Sequence, residues 1–236
     1  MFSHTCRKNF LHWCVNLKKF GTSNLILSSN CWKCGVKLPK QFCVFCNSCN
    51  KIQKINIDNI NYFDIFGLKS IYKMDSKVLE AEFKDLQNVT HPDKFNNESS
   101  YEKEVSVFNS AVINQAYSVL KSPVERIAYL LSINGCDVFS ENSGTYTKNP
   151  ALMIEIFNLR EDIAELSNIN ELEIKREEIL KILGKLSSEI EILWDCDDVS
   201  RVVSHAVRMK YLYKVQLSFF LFFSSCDNIS WLKYRF

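Results

Sequence analysis

The sequence predicts a mainly α-helical chain: a small cysteine-rich ribbon, then a helical hairpin, then an antiparallel three-helix bundle. Three observations lead there. Five of the ten cysteines crowd between positions 31 and 49. Two amphipathic helical patterns follow, separated by a loop built around Pro92. Beyond a polar stretch, three further apolar stripes at helical spacing are joined by short polar turns, the pattern of a bundle.

With 236 residues, 47% of them hydrophobic, the chain can bury a real core, as two small domains plus additional segments. A net charge of +2 argues for neither nucleic acid nor a membrane surface as partner. The distribution of charge says more. There is no Asp or Glu before Asp58, whereas Arg7, Lys8, Lys18, Lys19, Lys33, Lys37, Lys40, Lys51 and Lys54 are basic. Residues 1–29 combine basic and hydroxyl residues with Phe2, Phe10, Leu11, Trp13, Val15, Leu17 and Phe20. That composition predicts a mitochondrial transit peptide and hence a matrix location, with a cytoplasmic pool as the secondary expectation. The first 20 residues lack the continuous apolar core of a secretory signal, so an oxidising compartment is not indicated.

Residues 30–55 form the expected metal-binding segment. Cys31-Trp-Lys-Cys34 is followed by Gly35, then by Cys43-Val-Phe-Cys46-Asn-Ser-Cys49. Two CxxC pairs a short loop apart can each form a tight knuckle and together supply the four thiolates of tetrahedral Zn²⁺. Five thiols are offered, and Cys43/Cys46 and Cys46/Cys49 are both CxxC pairs. A redox CxxC would open a helix in a βαβ setting, and no such pattern surrounds either pair. A ribbon of this size cannot fold on apolar burial alone, so metal binding would supply its stability. Zinc ribbons serve nucleic acids, protein contacts or simple dimerisation, which keeps a homodimer among the readings. An iron–sulfur cluster on the same thiolates is the minor alternative.

Residues 59–135 form the hairpin domain. Asn61-Tyr-Phe-Asp-Ile-Phe-Gly-Leu68 reads as a short helix stopped by Gly67, its aromatics packed on the helices that follow. Asp75-Ser76 caps a helix to Thr90 with Leu79, Phe83 and Leu86 on one face. Val105, Phe108, Val112, Ile113, Ala116, Val119 and Leu120 make the stripe of the next helix. Pro92 cannot continue a helix and pushes His91 toward an extended conformation, so His91, Asp93 and Lys94 are presented on an exposed loop. Outward charges on the first helix (Lys77, Glu80, Glu82, Lys84, Asp85) are mixed in sign. Ser122-Pro-Val-Glu125 is a capping box with proline at the first helical position, opening another helix that ends at Asn134-Gly135.

Residues 136–149 are polar and read as a linker. The bundle, residues 150–217, starts at Asn149-Pro150 with Leu152, Ile156, Leu159 and Ile163 as its first stripe. Leu172, Ile179, Leu180, Leu183, Leu186, Ile190 and Leu193 line the second helix. The third carries Val202, Val203, Ala206, Met209, Leu212 and Val215. Met153, Ile154 and Phe157 fall outside the first stripe. A helix with apolar residues beyond its bundle face points to a partner, and Glu161 and Glu165 extend that ridge as an acidic rim. Residues 218–236 depart from bundle chemistry. Ser218-Phe-Phe-Leu-Phe-Phe223 is far shorter than the ~20 apolar residues a membrane span requires, and is expected to be an atypical tail that shortens the third helix.

His91-Pro92-Asp93 between two amphipathic helices, with Asn114-Gln-Ala-Tyr117 on the second, resembles the J domain, the module that stimulates ATP hydrolysis by DnaK-type chaperones. Cys46-Asn-Ser-Cys49-Asn-Lys-Ile-Gln53 and Leu152-Met-Ile-Glu-Ile-Phe-Asn-Leu-Arg-Glu-Asp-Ile163 are similar to segments of HscB-type proteins, which join a J domain to a three-helix domain that binds the IscU-type iron–sulfur scaffold. The resemblance runs roughly from Cys31 to Tyr213. It implies metal ligands Cys31, Cys34, Cys46 and Cys49. It implies chaperone contacts at His91, Pro92, Asp93 and Lys94, with Lys84 on the helix before them. Scaffold contacts are implied at Met153, Ile154, Phe157, Glu161, Glu165 and, on the last helix, Tyr211. Asn158 stands where the family has an acid.

The expected function is therefore a non-enzymatic co-chaperone of iron–sulfur cluster assembly, with a mitochondrial DnaK-type chaperone and an IscU-type scaffold as partners. A general J-protein of folding or import is the first alternative, and a zinc-ribbon nucleic-acid factor the second. The basic residues lack the interleaved stacking pattern that the latter needs. No catalytic constellation is evident: His4 and His12 lie in the expected presequence, leaving His91 and His205. No Gly-rich phosphate loop is present, so ATP is expected on the partner.

Overall fold

The computed structural model describes residues 30–39, 42–57, 60–136, 138, 149–166 and 168–224, the last five by backbone alone. The expected transit peptide and most of the expected linker lie outside these residues. The chain divides into two compact units, Met1–Cys136 and Asp137–Phe236. Among the described residues the fold is helical, with two isolated antiparallel bridges, Asn30↔Lys37 and Phe45↔Ile52, in the cysteine-rich segment.

In the first unit, α1 (Tyr62–Ile65) is closed by a capping box between Asn61 and Asp64. Helix α2 (Ser76–Thr90) is capped by Asp75, whose side chain accepts from the Lys77 N–H. A single 3₁₀ turn, Pro92–Phe95, leads toward α3 (Ser100–Lys121), which packs antiparallel to α2. Helix α4 (Pro123–Ile133) starts on the Ser122 cap with proline at its first turn, as the sequence predicts. Phe63, Leu79, Val112, Ile113, Leu120, Ile127 and Leu130 form the interior. Arg126 is buried among them, and its guanidinium donates to the carbonyls of Leu120 and Lys121 at the end of α3 and of Tyr72. One side chain thus satisfies carbonyls that a helix C-terminus leaves open.

The second unit consists of α5 (Pro150–Glu165), α6 (Ile169–Asp195) and α7 (Val199–Ser224). Leu152, Ile156 and Ile163 are buried from α5; Ile179, Leu183, Leu186, Ile190 and Leu193 from α6; Val202, Val203, Ala206, Val207, Met209, Leu212 and Val215 from α7. Leu180, expected in the α6 stripe, is 39% exposed. It sits one position past Ile179, about 100° round the helix, outside the buried arc. A second departure concerns the expected tail. Helix α7 does not stop before Ser218 but runs to Ser224, and Phe219 is buried. Phe219 lies four residues beyond buried Val215, so the apolar run continues the bundle face for another turn. No described helix is long and apolar enough to cross a membrane.

Returning to the first unit, the cysteine segment is seated on the hairpin. Val44 and Ile52 share a buried cluster with Phe95 and Val105, flanked by Phe42, Phe45, Leu86 and Tyr101. Asn109 of α3, fully buried, accepts from the Ile55 N–H and donates to the Gln53 carbonyl. Lys51 bridges to Glu98 at 3.0 Å and to Glu102 at 2.9 Å. Glu102 also closes a capping box with Ser99 at the start of α3. Burial alone would raise the Glu102 carboxyl, but Lys51 and the Ser99 hydroxyl and N–H outweigh it and hold the group below its ordinary range.

A depressed carboxyl contributes stability above its ordinary titration range and loses it as pH falls through the lowered value. Glu102→Gln is therefore expected to lower the thermal midpoint by several degrees at neutral pH. The difference from the parent protein should shrink toward zero on acidification below the carboxylate range. A pH series of melting curves for both proteins checks it, and a constant offset at every pH would refute the assignment.

Candidate functional site

The cysteine segment consists of two knuckles of matching construction. In the first, the Cys31 N–H donates to the Val36 carbonyl, the Gly35 N–H to the Cys31 carbonyl, and Gly35 has φ +74°. In the second, the Cys46 N–H donates to the Lys51 carbonyl, the Asn50 N–H to the Cys46 carbonyl, and Asn50 has φ +54°. The residue after each CxxC thus takes the left-handed conformation that Gly and Asn tolerate best. This equivalence selects Cys46/Cys49 as the second pair.

The ligand atoms of Cys31, Cys34, Cys46 and Cys49 all lie within 4.8 Å of one another. Cross-knuckle sulfur separations are 3.6 Å for Cys31–Cys49 and 3.7 Å for Cys34–Cys46. A tetrahedral site with metal–sulfur bonds of about 2.3 Å has sulfur–sulfur edges of about 3.8 Å, so the four residues fit such an ion. Around Cys31, burial opposes ionisation, yet the N–H groups of Cys34 and Lys33 and the neighbouring thiols bring it down to about 6. At Cys49 the Lys51 N–H favours the thiolate, but burial and three neighbouring thiols push it up to about 12. Thiols this close cannot all ionise without a cation between them, and a divalent ion supplies that charge. The buried Gln53 side chain donates to Cys31 Sγ at 3.4 Å and so orients a ligand from outside the set. Cys43 stands apart from the group, and burial, then the charge of Cys46, raises its thiol.

The second candidate lies at the foot of α2. His91 ends the helix with φ −59° and ψ 131°, the extended conformation that Pro92 imposes. The Asp93 N–H donates to His91 Nδ1 at 3.3 Å. The side chains of His91 and Asp93 are 53% and 82% exposed. Lys94 folds back onto Asn88 Oδ1 at 2.9 Å. Lys84, two turns up α2, is exposed and paired with Glu80 at 2.6 Å. Lys84 and the tripeptide are therefore separate features, one on α2 and the other just beyond its end.

The third candidate is the outer face of α5. Ile154 and Phe157 are 61% and 60% exposed, Met153 is half-buried, and Glu161 and Glu165 are exposed. Tyr211 lies on α7, half-buried, with Lys214 over its ring. One turn before it, Arg208 pairs with Glu155 at 2.7 Å and ties α7 to α5.

Residues 148–218 match the family model of the HSCB C-terminal oligomerisation domain. That match spans the three-helix bundle. Solved structures of the same fold include the human co-chaperone protein HscB, with a TM-score of 0.74 at 23% identity, covering 81% of this chain and 97% of that one. The chaperone HscB from Vibrio cholerae gives 0.60 at 23% identity over 70% and 99% of the two chains. Jac1 co-chaperone from Saccharomyces cerevisiae gives 0.56 at 20% identity over 67% and 91%. The HscB-like fold thus spans both units, and the ribbon, hairpin and three-helix organisation is the one predicted.

The residues that support these candidate sites carry less sequence signal than the candidates themselves. Phe95, which anchors the 3₁₀ turn, and Asn109, which holds the ribbon backbone, carry no local sequence signal of these roles. Ser99-Ser-Tyr-Glu102 carries a legible capping-box signature; nothing local announces that Glu102 also meets Lys51.

With the ligands assigned this way, Cys49→Ser should lose the bound metal, whereas Cys43→Ser should retain one ion per chain. Elemental analysis of both variants purified under reducing conditions decides it. The reverse pattern would move the second pair to Cys43/Cys46.

Proposed function

We propose that this chain is a non-enzymatic co-chaperone of iron–sulfur cluster biogenesis. Its C-terminal bundle binds an IscU-type scaffold and delivers it to a DnaK-type chaperone, whose ATP hydrolysis the His91-Pro92-Asp93 turn stimulates. The observation that carries the reading is the pairing, in one chain, of an exposed His-Pro-Asp turn on a helical hairpin with an HscB-family C-terminal domain. Zn²⁺ is the proposed ion of the Cys31/Cys34/Cys46/Cys49 site. An all-thiolate tetrahedral set with no open position suits a structural zinc, whose role is to hold the ribbon folded. The acid-free, basic composition of residues 1–29 supports targeting to the mitochondrial matrix.

Each partner has its own surface. Asp93 offers an exposed carboxylate, suited to a charge-assisted hydrogen bond with a cationic group of the chaperone. Ile154 and Phe157 offer apolar area to the scaffold, with Glu161 and Glu165 as a charged border.

Asp93→Asn keeps the shape of the turn and removes its charge. It is expected to abolish stimulation of the chaperone's ATPase while scaffold binding stays intact; undiminished stimulation would sink the J-domain role.

Replacing Met153, Ile154 and Phe157 together by Ala should weaken scaffold binding at least about tenfold, since a central apolar anchor commonly contributes about 1–2 kcal/mol. Bundle stability should change little, because Leu152, Ile156 and Ile163 remain. Basal chaperone stimulation should persist and the additional stimulation by scaffold disappear. A folded triple variant that binds scaffold normally would leave only the general J-protein reading.

A further inference from the structure

The cysteine ribbon reaches the residues that shape the His-Pro-Asp turn. That turn is one 3₁₀ helix, Pro92–Phe95, closed by the Lys94 N–H donating to the His91 carbonyl. Its last residue, Phe95, is 8% exposed although His91 and Asp93 face solvent. Phe95 is buried against Val44 and Ile52 of the ribbon together with Val105 of α3. These ribbon residues are tied to the second knuckle: Phe45 bridges Ile52 across it, and the Gln53 N–H donates to the Val44 carbonyl. The first knuckle reaches the same place, since Trp32 donates to the Ile52 carbonyl at 2.6 Å and its ring lies 4.6 Å from that of Tyr101. Lys51 adds the ionic tie to Glu98 and Glu102, on either side of the α3 N-cap.

We propose that the ribbon positions the His91-Pro92-Asp93 turn, so that metal occupancy of the four-cysteine site sets how well ordered the turn is. The inference rests on the proposed metal site. Val44, Lys51, Ile52 and Phe95 act as positioning residues; none needs to touch the chaperone. A 3₁₀ turn of four residues has too few hydrogen bonds to persist alone. Its order comes from the burial of Phe95, to which Val44 and Ile52 of the ribbon contribute. The ribbon in turn has too little apolar area to hold its shape without the ion. Metal loss therefore removes the wall behind Phe95 and leaves in place the C-terminal half of α3, where Tyr117 stacks on Phe83 of α2 and Ala116, Val119 and Leu120 are buried.

Amide hydrogen exchange on the full chain tests it, reading the Lys94 and Glu98 amides, which donate to His91 and Phe95. With metal bound, both should be protected. Stripping the metal with a chelator should speed their exchange about tenfold or more while the amides of residues 116–120, in the C-terminal half of α3, are unchanged. The double variant Lys51→Ala/Tyr101→Ala leaves all cysteines, Phe95 and the tripeptide intact. It should retain one metal ion, show the same faster exchange, and need a higher concentration for half-maximal stimulation of the chaperone at unchanged maximum. Protection that stays the same in both the stripped protein and the metal-loaded double variant overturns the proposal. A chain that never holds metal, yet loses protection in the double variant, overturns the metal site and keeps the positioning role.

Discussion

Much of what the first unit can present depends on the burial of one aromatic ring, Phe95. Pro92 stops α2, but a stop alone leaves a loose loop. The chain is turned back by a 3₁₀ helix whose final side chain enters a cluster with Val44, Ile52 and Val105. Burying a phenylalanine contributes roughly 1.5–3 kcal/mol, which offsets part of the roughly 1–2 kcal/mol per residue that ordering the turn costs. The polar residues of the tripeptide can then stay in solvent without the turn dissolving. Exposure of His91 and Asp93 and burial of Phe95 are two sides of one arrangement, set by the short period of the 3₁₀ helix.

That arrangement explains why a cysteine ribbon is fused to this hairpin. Its contacts with α3 and the turn before it include apolar packing at Val44 and Ile52, a buried amide at Asn109 bonded to ribbon backbone, and the Lys51 bridge to Glu98 and Glu102. The amide contributes most to register. Asn109 is fully buried and meets both a donor and an acceptor of the ribbon, so a shift by one residue would strand polar groups in the interior. The Lys51 bridge is partly solvated and adds less to stability. It fixes where the ribbon ends relative to the α3 N-cap.

The features legible in the sequence are those whose cause is local. Pro92 between two apolar periods is enough to place a hairpin with an exposed end, and Ser122-Pro123 is enough to start α4. The residues alone left Cys43/Cys46 and Cys46/Cys49 open. The choice is made by the left-handed backbone at Asn50, matching Gly35, and that is a property of the folded knuckle. Phe95, Asn109 and Glu102 were illegible as a group because their partners lie in the ribbon, some fifty residues away for Asn109 and Glu102. In α7, the run over residues 219–223 is apolar at every position and so shows no period in the sequence. Phe219 reveals the period only once Val215 is known to be buried.

The outer face of α5 raises a different question: how a helix keeps Ile154 and Phe157 in water without harm to the bundle. Each would gain on the order of 1.5–3 kcal/mol from burial, so the exposure is a standing pull toward association. The neighbours on the same helix oppose indiscriminate contact. Glu155, Asn158, Arg160, Glu161 and Asp162 are all exposed, which confines the apolar area to a narrow ridge. A flat apolar partner would have to desolvate those charges, whereas a concave one with a basic border would not. The buried residues Leu152, Ile156 and Ile163 lie on the opposite side of the helix, held by packing that does not involve the ridge. On the proposed function, recognition and folding use different side chains of one helix. The ridge is free to be shaped by a partner because the bundle does not need it.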